Sequence, residues 1–214
     1  MDFREKTANF FKAYPLRSYD KRELLLRAEE PVESVFYITE GRVSQYDIAP
    51  NGNEVIVNIF KPGAFFPMSS AINNTVNQYF FEASLASKTH VAPKANVLQF
   101  LHENPDIAFD LLARVYRGVD GILRRMAHLM GGKAQTRLIF ELLNSAYRFG
   151  EPKPTGSVFI QLTEGDLSKQ SGLARETINR SLHDLKATGL ITVSRNGVLI
   201  KDITALEAQL GNDL

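Results

Sequence analysis

Cysteine is absent from the 214 residues. Its absence excludes disulfides, thiolate zinc sites and cysteine-ligated iron–sulfur clusters. The four histidines, His90, His102, His128 and His183, are scattered without a partner at ligand spacing. Neither haem nor a metal is therefore expected, and no cofactor. The chain contains no apolar run of the roughly 18–20 residues that a membrane-spanning helix needs. The opening MDFREKTANFFKAYPLRSYD has no hydrophobic h-region and no cleavage signature, so it does not read as a secretion signal, and a cytoplasmic protein is expected. A nucleophile–base pair and a phosphate-cradling glycine loop are both missing, so no enzyme is expected.

Charge of one sign is also lacking. Lys and Arg number 25 against 24 Asp and Glu, a net +1, where a nucleic-acid binder often shows a basic excess. The distribution is uneven. Residues 105–150 hold seven Lys/Arg and four Asp/Glu, or +3, while residues 155–214 hold six and seven, or −1. Any DNA affinity of the C-terminal part must rest on a few placed cations and helix N-termini, doubled by dimerisation.

The stretch TEGDLSKQSGLARETINRSLHDLKAT, residues 163–188, organises the rest. Thr163 followed three residues later by Asp166 predicts a capped helix start. Ser171-Gly172-Leu173 breaks the pattern with a glycine able to take positive φ at a sharp corner. A second helix is predicted from about Ala174 to Thr188, with Gly189 past its end. On a helical wheel Ile178, Leu182 and Leu185 share the core side, and Arg175, Glu176, Asn179 and Arg180 share another. Arg can fork onto guanine, Glu can accept from cytosine and Asn can pair with adenine. The plainer reading of Glu176 and Arg180 is an ordinary i,i+4 pair, worth about 0.2–0.5 kcal/mol.

These residues resemble the helix-turn-helix of the CRP/FNR family of bacterial transcription regulators. The Arg-Glu-Thr-x-x-x-Arg core stands as Arg175, Glu176, Thr177 and Arg180. The resemblance runs over nearly the whole chain and implies a cytoplasmic homodimer that binds double-stranded DNA, with RNA polymerase as a further partner. In cyclic-AMP-responsive members the Arg, Glu and Arg read a TGTGA-type half-site, a role carried to Arg175, Glu176 and Arg180. Thr163, Lys169, Thr177 and Arg195 are the expected phosphate contacts. Ala174 departs from the Ser of many members and removes a hydroxyl that caps the helix or touches phosphate. The missing cysteines separate the chain from the oxygen-sensing branch, which holds a cluster on them.

Ahead of this segment the pattern is that of short strands. Val35–Thr39, Arg42–Ile48, Glu54–Phe60, Tyr79–Leu85 and Lys88–Ala92 alternate or carry β-branched and aromatic residues. Gly41, Pro50-Asn51-Gly52-Asn53 and Lys61-Pro62-Gly63 punctuate them. Such spacing suggests a sandwich or jelly roll, and by resemblance the cyclic-nucleotide-binding β-roll. Phe36-Tyr37-Ile38-Thr39-Glu40-Gly41 stands as its strand–glycine segment and Lys61-Pro62-Gly63 as its loop. Residues 1–30 are charged and read as partly helical. Phe3, Phe10, Phe11 and Tyr14 form a rough apolar stripe, expected to pack on the next domain in preference to lying on a membrane surface.

The phosphate cassette of that roll is missing. Nucleotide-binding members carry Gly-Glu-Leu for the ribose and Arg-Ser or Arg-Thr for the cyclic phosphate. Here Pro67 stands in the Glu position, Asn77 and Gln78 stand in the Arg-Ser positions, and no Arg or Lys occurs between Lys61 and Lys88. A buried cyclic phosphate without a cation is costly. Cyclic AMP and cyclic GMP are therefore not expected to bind usefully. Two readings stay open: an unknown small-molecule effector in a pocket lined by Met68, Ser69, Ser70, Asn73, Asn77, Gln78 and Tyr79, or a roll filled by its own side chains.

A short helix is predicted over Pro93–His102, and a long one opens at Asn104-Pro105-Asp106. Leu112, Val115, Val119, Ile122, Met126 and Leu129 recur at 3,4,3,4,3 spacing, an a/d seam that favours a parallel two-helix dimer over packing on its own domain. Gly118 and Gly121 permit close approach. By resemblance, a hydroxyl pair in this helix touches the nucleotide base across the dimer. Ile122 and Leu123 stand there, a second argument against cyclic AMP. Gly131-Gly132 reads as a hinge between roll and reading helices.

Beyond it come a helix over Lys133–Arg148, a Pro/Gly loop, a strand over Val158–Leu162, and after Gly189 a hairpin wing with Arg195 at its tip. The tail from residue 204 reads as a helix without evident function. The predicted architecture is α+β: a jelly-roll-like sensor domain over residues 1–104, a dimerisation helix over 105–131 and a winged helix-turn-helix over 132–214. The implied function is a sequence-specific regulator binding an inverted repeat as a homodimer, with an effector other than cyclic AMP. The alternative is a protein-interaction adaptor whose winged helix docks a partner chain, supported by the near-neutral charge of residues 155–214.

Overall fold

The structure, a computed structural model, describes residues 3–211; the side chain of Leu129 lies outside what is described. The chain divides into two compact units, Met1–Arg117 and Gly118–Leu214. The boundary falls inside the long helix.

The first unit begins with α1 (Phe3–Lys12). Its apolar stripe packs on the core except at Phe3, which is exposed: Phe11 is fully buried and stacks on Tyr37 at 4.8 Å, while Phe10 stacks on Phe100 at 4.0 Å. Two short strands that residues 1–30 did not suggest follow, β1 (Leu16–Tyr19) and β2 (Leu24–Leu26). Then come β3 (Ser34–Ile48), β4 (Glu54–Phe60), β5 (Phe65–Phe66), α2 (Met68–Asn73), β6 (Phe80–Pro93) and α3 (Lys94–Glu103). The sheet order is β1-β6-β3-β4, with β2 also on β6 and β5 on β3, all antiparallel. This is the expected roll.

The strand breaks expected at Gly41 and at residues 86–87 do not occur. β3 and β6 run on as long partners from Ser34↔Pro93 to Tyr46↔Phe80, with register shifts between Ile38 and Val43. Gly41 takes φ +85°, and a Cβ there would stand 2.2 Å from the Ala86 carbonyl oxygen. Ser87 Oγ accepts from the Arg42 N–H at 2.9 Å, which pairs that main-chain donor within the irregular ladder. A short-strand reading misses this because a bulge and a turn carry the same glycine signal.

The roll interior is filled by rings. Phe66 stacks on Phe81 at 4.7 Å, on Phe60 at 5.2 Å and on Phe36 at 5.5 Å. Burying each such ring contributes about 1.5–3 kcal/mol.

Helix α4 (Pro105–Gly131) crosses from the first unit into the second. The second unit continues with α5 (Ala134–Phe149), β7 (Glu151–Pro152), β8 (Val158–Ile160), α6 (Glu164–Ser171), α7 (Arg175–Ala187), β9 (Ile191–Ser194), β10 (Gly197–Ile200) and α8 (Ile203–Gly211). Strand order is β7-β8-β10-β9. Leu138, Ile139, Leu142 and Leu143 of α5 meet Leu167 of α6 and Ile178, Leu182 and Leu185 of α7 in one core. The tail is part of that core. Asp202 Oδ1 accepts from the Ala205 N–H at 2.9 Å at the start of α8, and Leu206 is fully buried.

Candidate nucleic-acid interface

Local chemistry fixes the corner between α6 and α7. Thr163 and Asp166 make a full capping box: Thr163 Oγ1 accepts from the Asp166 N–H at 3.2 Å, and Asp166 Oδ2 accepts from the Thr163 N–H at 2.9 Å. Gly172 ends α6 at φ +67°, the left-handed geometry expected of it. Ser168 Oγ donates to the Leu173 carbonyl at 2.6 Å, and Ser171 Oγ accepts from the Leu173 N–H at 3.3 Å. These bonds hold the turn shut.

Helix α7 separates its faces as the wheel predicts. Ile178, Leu182 and Leu185 are buried, while Arg175, Glu176, Asn179 and Arg180 are all exposed. Ala174 provides no side-chain cap, so first-turn N–H groups of α7 lack that partner. The Asn179 amide, turned with its nitrogen toward α6, donates to the Glu164 carboxylate at 2.7 and 2.9 Å. Sequence reading did not single out Glu164.

The other four sequence-predicted contacts are less uniform. Arg195 is exposed at the tip of the β9–β10 hairpin. Lys169 and Thr177 are half-buried. The Thr163 hydroxyl is committed to its cap and also donates to Asp166 Oδ2 at 2.7 Å.

The structure disperses the seven residues named for an effector pocket. Ser69, Asn73 and Gln78 face solvent, Ser70 is buried, Met68 packs with Phe11 and Phe65, and Tyr79 packs with Phe66 and Phe81. Asn77 is 1% exposed, and its amide donates to the Arg27 carbonyl at 2.7 Å and to the Tyr79 carbonyl. Its main chain pairs with Glu29 and Glu30. Asn77 is thus a structural clamp, with its donors spent on main chain.

On α4 the seam residues Leu112, Val115, Val119, Ile122 and Met126 are exposed in the single chain; Leu129 lies outside the described side chains. A further stripe, not noted in the sequence, adds Phe109, Tyr116, Leu123 and Met130 at seven-residue intervals, from 57% to 85% exposed. Gly118 and Gly121 have open space where a Cβ would stand.

The second unit holds a polar cluster that sequence reading missed. Arg125 Nε donates to Glu141 Oε1 at 2.5 Å, and its guanidinium also donates to the Gln170 carbonyl near the end of α6. Ser145 Oγ donates to Gln170 Oε1 at 3.4 Å. Burial pushes the Glu141 carboxyl above its ordinary range, opposed by the charge and hydrogen bond of Arg125 and by the charge of Arg148. The signal was present: a carboxylate among Leu138, Ile139, Leu142 and Leu143 demands a cation. Gly131-Gly132 therefore lies within the second unit, with Arg125 bonded across it.

Among the described residues no group of three or more His, Asp or Glu could hold a metal, and no helix is long and apolar enough to cross a membrane.

A roll followed by a long helix and a winged helix-turn-helix defines the class of DNA-binding transcription regulators with a cyclic-nucleotide-binding-like domain. Residues 16–104 match the cyclic nucleotide-binding domain family and residues 136–209 the Crp-like helix-turn-helix domain family. The chain is similar to the global nitrogen regulator of Synechocystis sp., 23% identical over 200 residues, covering 91% of this chain and 88% of the relative. It is similar to the transcriptional regulator LdrP of Thermus thermophilus, 25% identical over 199 residues, covering 91% and 95%. Its fold resembles a CooA mutant from Carboxydothermus hydrogenoformans, with a TM-score of 0.78, 20% identity, and 94% and 90% of the two chains covered. The chain belongs to the CRP/FNR family of transcription regulators.

Proposed function

We propose that the protein is a cytoplasmic, sequence-specific transcription regulator that binds an inverted repeat as a homodimer, without cyclic AMP as effector. The observation that carries this reading is the division of α7. Its apolar residues are buried in the second unit, and Arg175, Glu176, Asn179 and Arg180 are left outward over the first two turns. Those side chains match base edges in a major groove. The uncapped N-terminus of α7 and the exposed Arg195 suit phosphates. Thr163, Lys169 and Thr177 are supplementary phosphate contacts in this reading, Thr163 after its hydroxyl leaves Asp166.

Pairing of α4 with a second copy would cover its exposed apolar residues and set two reading helices about 34–36 Å apart. RNA polymerase is the further partner of such a regulator. The lack of any Arg or Lys between Lys61 and Lys88, and the engagement of Asn77 with main chain, support the exclusion of cyclic nucleotides. The stacked rings of Phe36, Phe60, Phe66 and Phe81 favour a self-filled roll over an effector pocket.

The test is fluorescence anisotropy on a TGTGA–N6–TCACA duplex against a scrambled duplex, at physiological salt without ligand. Selective binding to the first supports the regulator. Equal weak binding to both, unchanged by a ligand screen, would favour the protein-interaction adaptor.

A further inference from the structure

The apolar core of the second unit is built from α5, α6, α7, α8 and the strands among them, and among the described residues α4 contributes nothing to it. What α4 gives this unit is chiefly polar. Arg125 Nε donates to Glu141 Oε1 of α5 at 2.5 Å, and the same guanidinium donates to the Gln170 carbonyl in the last turn of α6. Glu141 is 2% exposed and Gln170 5%. The Gln170 side chain is held as well: Ser145 Oγ of α5 donates to Gln170 Oε1 at 3.4 Å. The His128 ring, about one turn further along α4, lies 4.5 Å from Phe140 of α5. Arg125 thus joins α4, α5 and α6 at one point.

That point adjoins the corner that carries α7. Gln170 comes just before Gly172, and Ser168 and Ser171 close the turn onto Leu173. Arg175 opens α7 directly beyond. On α4, Arg125 stands next to Met126 and about one turn from Ile122, both exposed apolar residues of the seam. The seam and the anchor of the reading corner therefore occupy the same turns of α4. A guanidinium that must meet a carboxylate and a main-chain carbonyl together fixes both distance and rotation. Fixing register is the best-attested use of a buried ion pair, whose net stabilisation is often small.

We infer that Arg125 is a positioning residue for DNA reading: by tying α4 to α5 and to the end of α6, it fixes the separation and relative rotation of the two α7 helices in the dimer, and with them the half-site spacing the protein accepts. This rests on the DNA reading by α7 and the pairing of α4 proposed above. Arg125 touches no DNA; it acts through Gln170 and the corner. A purely structural Arg125 would change affinity on every duplex alike. The spacing preference separates the two roles.

The experiment is fluorescence anisotropy of the full chain on TGTGA–N6–TCACA, on the same half-sites with the spacer one or two base pairs shorter or longer, and on a scrambled duplex. Two base pairs turn one half-site against the other by about 70° and shift it by about 7 Å. Compared are wild type, Arg125→Lys, and Arg125→Met combined with Glu141→Leu, which leaves no buried charge behind. Thermal melting and sedimentation confirm that each is folded and dimeric; should the double variant fail there, Arg125→Lys carries the test. Wild type is expected to prefer one spacer over those two base pairs away by roughly a hundredfold, because a misplaced half-site forfeits the second contact. In the double variant that ratio should fall to about tenfold or less, with the base preference within each half-site unchanged. Arg125→Lys keeps a cation for Glu141 but loses the fork, and should lie between. Variants that bind more weakly on all duplexes yet keep the wild-type spacing ratio would overturn the inference and leave DNA reading standing. A wild type that reads the half-sites with no spacing preference would overturn it too. A wild type that binds no duplex better than the scrambled one would overturn the DNA-reading proposal, and this one with it.

Discussion

Arg125 and Glu141 form a nearly dry ion pair, Nε to Oε1 at 2.5 Å, with side-chain exposures of 18% and 2%. The same guanidinium donates to the Gln170 carbonyl, close to the corner that launches α7. One cation from α4 thus neutralises the acid of α5 and caps the C-terminal end of α6, where the helix dipole favours positive charge. Removing the cation alone leaves a carboxylate buried and a carbonyl deprived of its donor. Arg125→Met is expected to destabilise the second unit by about 3–5 kcal/mol. Arg125→Met with Glu141→Leu should restore much of that, because a paired apolar replacement removes the uncompensated charge. Urea unfolding of the three proteins checks this; a double variant no more stable than Arg125→Met would contradict it.

The same acid gives the stability a pH dependence of unusual sign. Burial raises its folded pKa above the unfolded value, so the folded protein holds the proton more tightly. The contribution is fully present below the ordinary carboxylate value and is lost as pH rises through the raised one. Arg125 opposes the shift by its charge and hydrogen bond, so Arg125→Met should push the carboxyl further up. Over about pH 4 to 8, melting temperatures of Arg125→Met should fall with pH across a wider window than those of wild type. The difference should vanish when Glu141→Gln is added. A window unchanged by loss of Arg125 would show that the carboxyl does not feel its charge.

For DNA, Arg180→Ala is expected to cost about 1–3 kcal/mol of specific binding and to relax one base position. Arg195→Ala should instead weaken binding about equally on all sequences and reduce the salt slope by about two, one for each subunit of the dimer. Anisotropy titrations on specific and scrambled duplexes at several salt concentrations distinguish these outcomes. Unchanged preference at every base in Arg180→Ala would remove that residue from the reading set.

The helix-turn-helix was legible because its signals are local, whereas the division at Arg117/Gly118 inside α4 was not. Thr163 and Asp166 are a cap, Gly172 is a corner, and the period of Ile178, Leu182 and Leu185 marks the buried side of α7. Continuous β3 and β6 were not legible, because Gly41 serves a bulge as readily as a turn. Helix α2 is hidden inside the stretch that reads equally as pocket lining or as roll filling, where Ala71 and Met68 are core. Asn77 looked like a ligand donor because its partners, the Arg27 and Tyr79 carbonyls, are main-chain atoms that sequence does not display. Pairing of Arg125 with Glu141 spans two helices, and Glu164 with Asn179 spans two more; both depend on tertiary placement. Only the isolation of Glu141 among leucines could have been noticed beforehand.

The exposed face of α4 yields the last prediction. Ile122 is 45% exposed in the single chain, with Leu123 and Met126 beside it and Val119 one turn back. Large apolar side chains repeated along one helix at such exposure are what a partner surface requires. In a parallel pair, equivalent seam residues from the two copies face each other across the two-fold axis. Ile122→Glu would set two carboxylates against one another at the centre of that seam. It would also remove apolar burial worth about 1.5–3 kcal/mol per side chain. The dimer should weaken by at least a hundredfold, about 2.7 kcal/mol, while the far-ultraviolet dichroism of the chain stays the same, because the position is not core in a single copy. Sedimentation equilibrium over micromolar concentrations reads both species. An Ile122→Glu protein that still sediments as a tight dimer would show that the copies associate elsewhere, and would leave the apolar face of α4 to another partner.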